Sequence, residues 1–205
     1  MKVYTSTSPA PNPRALAIIL KIKGIEPEWI EIDMLKGDNR APAYKAINPA
    51  GQLPCLITDS GFAIAEVSAI AEYLDEIKPD PSLGGNTAEE RAETRMRVRQ
   101  MDYWIIAPFM NGFRHGAGKD FFAGRIPIHE GLSEPSFAMA EGGMAWLDKQ
   151  MAGKTFMCGE RLSYADPIFF GMMEFGAALK MGVSPTHKNL TAYMERLASH
   201  ESFGQ

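Results

Sequence analysis

Between Asn48 and Pro54 the chain reads Asn-Pro-Ala-Gly-Gln-Leu-Pro. This stretch limits the fold more than any other. Two prolines, a glycine and an asparagine so close together make a turn. The residues after it, Leu53 to Thr58, read as a strand that opens on a proline. Proline has no N–H, so it belongs at a strand's first residue or at an edge. With a cis Leu53–Pro54 bond the chain folds sharply there. The N–H and C=O of Leu53 then point outward, where an extended peptide can pair with them as an added strand. The expectation is a small-peptide site built from backbone.

The segments around the turn fill in one half of the molecule. Lys2 to Thr5 reads as a strand, and Thr5 to Pro13 as a polar, proline-rich loop. Asn12 is placed to cap a helix whose first residue is Pro13, running through Leu16, Ile19 and Ile22 to a stop at Gly24. Glu28 to Ile32 alternates as a second strand, and Ala41 to Ile47 reads as a short helical or irregular segment. After the turn and its strand come a tight turn at Asp59-Ser60-Gly61, a strand at Phe62–Ile64 and a helix from Glu66 to Ile77. The order is βαβαββα.

A proline- and glycine-rich stretch, assigned as a linker at 81–87, separates this half from a second one without strands. A long helix is expected from Thr87 to about Phe113, kinked at Pro108, and a glycine-rich aromatic loop from Asn111 to Arg125. Further helices are expected near Glu134–Met151, Tyr164–Met181 and Leu190–Ser199. Ser163-Tyr164-Ala165-Asp166 reads as a capping box with a folding role.

The turn and the helix start Glu66-Val67-Ser68-Ala69-Ile70, at this spacing, resemble the glutathione S-transferase family, whose motifs are Asn-Pro-x-Gly-x-x-Pro and Glu-Ser-x-Ala-Ile. The likeness covers essentially the whole chain. It implies an α/β thioredoxin-like N-terminal domain (1–80) followed by an all-α C-terminal domain (88–205). It also implies glutathione as cosubstrate, a homodimer and a cytoplasmic detoxifying transferase. By resemblance, the Glu66 carboxylate holds the γ-glutamyl amino group, while the Val67 N–H and the Ser68 hydroxyl hold its carboxylate at a helix N-terminus. Leu53 and Pro54 form the peptide-pairing edge. Gln52 is a candidate for the glycine carboxylate, with Asn39 and Arg40 beside it. Val67 departs from the family's serine and lacks its hydroxyl.

The chemistry at issue is thiol activation. A thiol of pKa about 8.5 needs donors or positive charge around its sulfur, because the thiolate is the nucleophile. The family's usual Tyr, Ser or Cys slot falls at Pro9-Ala10, which can donate no side-chain bond. The absence of a cysteine there argues against mixed-disulfide chemistry. The chain is more similar to the atypical fungal and bacterial transferases that draw polar groups, a histidine among them, from the second domain. Phe113-Arg114-His115 matches that pattern, with Asn111 one turn earlier. The catalytic candidates are therefore Ser8, Asn12 and His115. Arg91, Arg95, Arg99 and Asp102 read as a solvated face or a dimer interface, and Phe109, Met110, Phe113, Phe121 and Phe122 as core or as the wall of an electrophile pocket.

Composition excludes other classes. Of 205 residues 45% are hydrophobic and 22% charged, with net charge −4, which gives no basic face for nucleic acid. No apolar run approaches the roughly 20 residues that span a bilayer. Cys55 and Cys158 lack metal or redox spacing and are expected to be buried and inert, so no metal is expected. Beside the transferase stand two alternatives: a glutathione-dependent peroxide or disulfide reductase, and a glutathione-binding protein without catalysis.

Overall fold

A computed structural model describes residues 1–204. Its first half is a four-stranded sheet of β1 (Lys2–Ser6), β2 (Glu28–Ile32), β3 (Cys55–Ile57) and β4 (Ala63–Ala65), in the order β2-β1-β3-β4. The β1–β2 pair is parallel and the other two are antiparallel, with Val3 opposite both Trp29 and Leu56. Helices α1 (Pro11–Lys23) and α3 (Val67–Ile77) cover one face, and the short α2 (Pro42–Lys45) belongs to the other. The two-residue period of a strand divides the side chains. Val3 and Leu56 join Leu16, Ile19, Ile70 and Leu74 in the main core. Tyr4 and Cys55 join Tyr44, Leu53 and Met34 in a smaller cluster on the opposite face. This is the thioredoxin-like arrangement expected from the sequence.

The second half is helical: α4 (Ala88–Met101), α5 (Ala107–His115), α6 (Lys119–Phe122), α7 (Ser133–Gln150), α8 (Ala165–Ala178) and α9 (Lys188–Ala198). The two halves meet along α1 and α8. Gly171 permits the approach, since a Cβ there would lie 2.6 Å from the Pro11 carbonyl oxygen. Arg14 of α1 pairs with Glu174 of α8 at 2.8 Å. The connecting segment is tied down by Asp75, which accepts from the Leu83 and Gly84 N–H groups and from Lys23 Nζ at 2.7 Å. Lys23 is only 1% exposed and also donates to Pro81 O, so its buried charge is paired and bonded as burial requires.

Four expectations need correction. Asn12 is not the helix cap. Ala10 is, at φ −148° and ψ 137°, because the residue before Pro11 is pushed out of the helical region, and Asn12 sits inside the first turn. The strand expected at Leu53–Thr58 shortens to Cys55–Ile57, leaving Leu53 and Pro54 outside the ladder. The long helix is not simply kinked at Pro108. A π-helical turn at Asp102–Ile106 separates α4 from α5, and Ala107 N–H donates to Asp102 O. Pro108 cannot donate to Trp104 O, and α7 crosses close to that carbonyl at Gly143, where a Cβ would collide with it. Finally, the segment 111–125 is not a loop throughout: α5 continues to His115, and α6 forms at Lys119–Phe122.

Candidate functional site

The turn between α2 and β3 is clamped from below. Gly51 has φ 61°, and a Cβ on it would lie 2.8 Å from Asn39 O, so the position calls for glycine. Asn39 Nδ2 donates to Gly51 O at 2.7 Å. Tyr44 Oη and Asn48 Nδ2 both donate to Gln52 O, at 2.6 and 2.9 Å. Two successive carbonyls are thus fixed by three side chains. The next peptide, Leu53–Pro54, is cis. Neither the N–H nor the C=O of Leu53 has a hydrogen-bond partner among the described residues. The Leu53 side chain is 7% exposed and anchors in the small cluster. Its backbone is therefore held in place and left free to pair. Asn39, 6% exposed with its amide committed to Gly51, supports the turn from within. Gln52 and Arg40 are the exposed polar groups at the turn.

The second element is the β4–α3 junction. Glu66 precedes the helix at φ 69°, ψ 120°, a conformation that L-residues adopt at a cost of about 1–3 kcal/mol. Its carbonyl accepts the first helical bond, from Ile70 N–H at 3.0 Å. The N–H groups of Val67, Ser68 and Ala69 have no partner among the described residues, and neither has the Ser68 hydroxyl. They form the positive end of an eleven-residue helix. Val67 is buried in the main core beside Ile70, so its side chain serves packing while its N–H remains available. Asp102, half-buried at the start of the π turn, completes the group. Burial pushes its carboxyl above the ordinary carboxylate range; Arg99 opposes this and the nearby Glu66 carboxylate adds to it. Two carboxylates thus lie next to a row of free amides, a pattern that matches both charges of an α-amino acid end.

The third element is the mouth of the cleft between the halves. In the loop after β1, Thr7 N–H donates to Ile32 O, and Ser8 N–H to Ser6 Oγ at 3.0 Å. From Pro11 the boundary passes to α8 at Gly171 and, one turn on, to Phe175. Phe175 meets Phe113 edge-on at 5.4 Å between ring centroids. Phe113 meets Phe122, and Phe122 meets Phe121 at 5.0 Å. Arg125 stacks on Phe121 at 3.9 Å and donates to Met34 O at 3.2 Å, next to β2. With the Thr7–Ile32 bond these contacts close a circuit, mostly of aromatic side chains, of which the N-terminus of α1 is one member. His115 ends α5, and its Nδ1 accepts from the His129 N–H at 3.3 Å. The ring proton then belongs on Nε2, which is left as a donor. No hydrogen bond joins His115 to Ser8 or Asn12 among the described residues.

Other candidates separate from this site. Arg95 forms a fork with Glu72, at 2.8 and 3.1 Å, and Tyr164 Oη joins the same carboxylate. Arg91 binds Asn86 O, and Arg99 lies 4.0 Å over the Tyr103 ring. Cys55 and Cys158 are buried, and burial raises both thiol pKa values, the opposite of activation. Among the described residues no cluster of His, Cys, Asp or Glu is gathered to hold a metal.

Residues 10–77 match the model of the glutathione S-transferase N-terminal domain, and residues 142–201 that of the C-terminal domain. The chain belongs to the glutathione S-transferase family. Glutathione S-transferase 2 of Saccharomyces cerevisiae is 26% identical over 211 residues, covering 98% of this chain and 87% of the relative. A glutathione S-transferase domain-containing protein from Marinobacter aquaeolei superposes with a TM-score of 0.91 at 28% identity over the whole of both chains. The structure of Gtt2 from Saccharomyces cerevisiae gives 0.92 at 25% identity, covering 99% and 98%. Membership of the family supports glutathione transferase activity in general. In this member of the family, the sequence did not reveal Tyr44, Asp102 of the same chain or Arg125 as parts of the site. Only Asp102 carried a local signal, as an acid entering an apolar stretch. The others depend on how α2 and the segment after α5 fold back.

Proposed function

We propose that the protein joins the thiolate of glutathione to small apolar electrophiles. One observation carries the reading: the partnerless Leu53 backbone lies in the same half as Glu66 and the first amides of α3, and Asp102 of the helical half comes near enough to act on the Glu66 carboxylate. A γ-linked tripeptide needs both, one for its central peptide and one for its zwitterionic end. On this reading Glu66 and Asp102 hold the ammonium, and the Val67 and Ser68 N–H groups with the Ser68 hydroxyl hold the adjoining carboxylate. The Leu53 edge beside Pro54 pairs with the cysteinyl backbone. Gln52 and Arg40 take the glycine carboxylate on a turn that Asn39 positions.

The sulfur then lies toward the Ser8–Asn12 loop and the aromatic circuit. Ser8, Asn12 and the Nε2–H of His115 supply donors in place of the Pro9-Ala10 slot. One donor bond to a charged group is worth about 1.5–3 kcal/mol, enough to bring a thiol of pKa about 8.5 near neutral. The thiolate attacks the electrophilic carbon, a C–S bond forms, and the leaving group departs with its electron pair. Division into units at 81–87, a two-fold dimer through α3 and α4, and a cytoplasmic location complete the proposal. Exposed Met96, Tyr103 and Trp104 on the α4 side support the dimer.

A second reading, glutathione binding without catalysis, is favoured by the engagement of His115 with His129. Retention on immobilised glutathione, run beside conjugation of an aryl halide, separates the two. Retention with turnover supports the transferase; retention without turnover selects the binding protein.

A further inference from the structure

We propose that Arg114 makes this cleft selective for electrophiles that carry a carboxylate beside their apolar ring. Arg114 is half-buried on α5 and lies 5.8 Å over the ring of Phe122, within the aromatic circuit that bounds the mouth of the cleft. Its guanidinium makes no hydrogen bond and no ion pair among the described residues. The other half-buried arginines all have an acceptor. Arg14 has Glu174, Arg97 has Gln100, Arg125 has Met34 O, and Arg161 has Glu90 O. Burial lowers the pKa of Arg114 from the ordinary guanidinium value, and no neighbouring carboxylate opposes the effect.

Even half-buried, a charge without a counterion carries a desolvation cost, and a planar fork of five donors is matched best by a carboxylate. The protein supplies none, so the ligand does. Glutathione is not the source: its two carboxylates are met by the Gln52 turn and by the N-terminus of α3. The remaining occupant of the cleft is the electrophile. Phe122 and Phe113 take its ring and Arg114 its anionic substituent. The assignment rests on the transferase reading above.

The test compares chlorodinitrobenzene with the chlorodinitrobenzoate that adds a ring carboxylate. In both, the thiolate attacks the carbon bearing chlorine, a C–S bond forms, and chloride leaves with the electron pair. Each rate is divided by the uncatalysed rate with glutathione, which removes the difference in ring reactivity. The expected wild-type preference for the benzoate is about ten- to hundred-fold in kcat/KM, mostly in KM, the range of one charge-assisted bond. Arg114→Met abolishes the preference and leaves the neutral ring within about threefold, while Arg114→Lys, with charge but no fork, keeps part of it. A benzoate-to-benzene ratio unchanged by Arg114→Met overturns the proposal, as does an equal loss on both substrates. If the wild type binds glutathione but turns over neither ring, the transferase reading fails. Arg114 is then judged by calorimetry of the two S-aryl glutathione conjugates. Loss of a preference for the carboxylated conjugate in Arg114→Met upholds the assignment, and equal affinities throughout overturn it.

Discussion

Glu66 combines a strained backbone with a charge placed for binding, and two substitutions separate these roles. At φ 69° and ψ 120° any side chain is opposed sterically, at a cost of about 1–3 kcal/mol that glycine largely escapes. Glu66→Gly removes both strain and charge; Glu66→Ala removes the charge and keeps the strain. Both should weaken glutathione equally. A lost charge-assisted bond of about 1.5–3 kcal/mol is a ten- to hundredfold rise in Kd. In stability they should differ. The glycine variant should exceed the alanine variant by about 1 kcal/mol, after subtracting the roughly 0.5–1 kcal/mol that glycine gives up in chain entropy. Isothermal calorimetry with glutathione reads the first quantity, and urea unfolding without ligand reads the second. The reasoning is refuted if glutathione affinity survives either substitution, or if Glu66→Gly is the less stable of the two.

Three further outcomes follow from the site and its supports. His115→Ala should raise the pH at which bound glutathione ionises by about one to two units with little change in affinity, as read from thiolate absorbance; Ser8→Ala should do the same more weakly. Burial and Glu66 raise the pKa of Asp102 in the folded state. Its contribution to stability is therefore full below the ordinary carboxylate range and is lost as pH rises through the raised value. A bound ammonium offsets that charge, so glutathione affinity should rise over the same window, and Asp102→Asn should flatten the rise in calorimetric titrations. Asp166 is fully buried and accepts from Met157 N, Ser163 N, Ser163 Oγ and Tyr193 Oη. Asp166→Ala leaves those buried donors unpaired and should cost about 3 kcal/mol in urea unfolding; a loss under about 1 kcal/mol would refute its role as a folding element.

The parts that were legible in the sequence are those coded locally. Gly24, the Asn48–Pro54 turn, the alternation at Glu28–Ile32 and the apolar stripe of α3 each specify their own backbone, and each element lies within a few residues of its expected place. Of the Ser163–Asp166 box only the return half forms: the Ser163 N–H and hydroxyl donate to the Asp166 carboxylate, while Tyr164 is the cap and no side chain accepts from the first helical amides. What escaped depends on contacts between distant segments. The π turn at Asp102–Ile106 arises where Pro108 withholds a donor and Gly143 of α7 lets another helix approach. Asn39 read as a ligand because it is polar and near the turn; only the fold shows its amide committed to Gly51. Arg114 drew no notice between Phe113 and His115, because a missing counterion becomes visible only when every neighbour has been placed.

The central claim is that the Leu53 backbone and the Glu66–Asp102 pair together hold glutathione. A crystal structure of the complex tests it most directly. The account predicts that the cysteinyl N–H and C=O pair with Leu53 O and N at about 2.7–3.2 Å, with the γ-glutamyl ammonium between the carboxylates of Glu66 and Asp102. Glutathione bound elsewhere, with the Leu53 backbone unpaired, would contradict it.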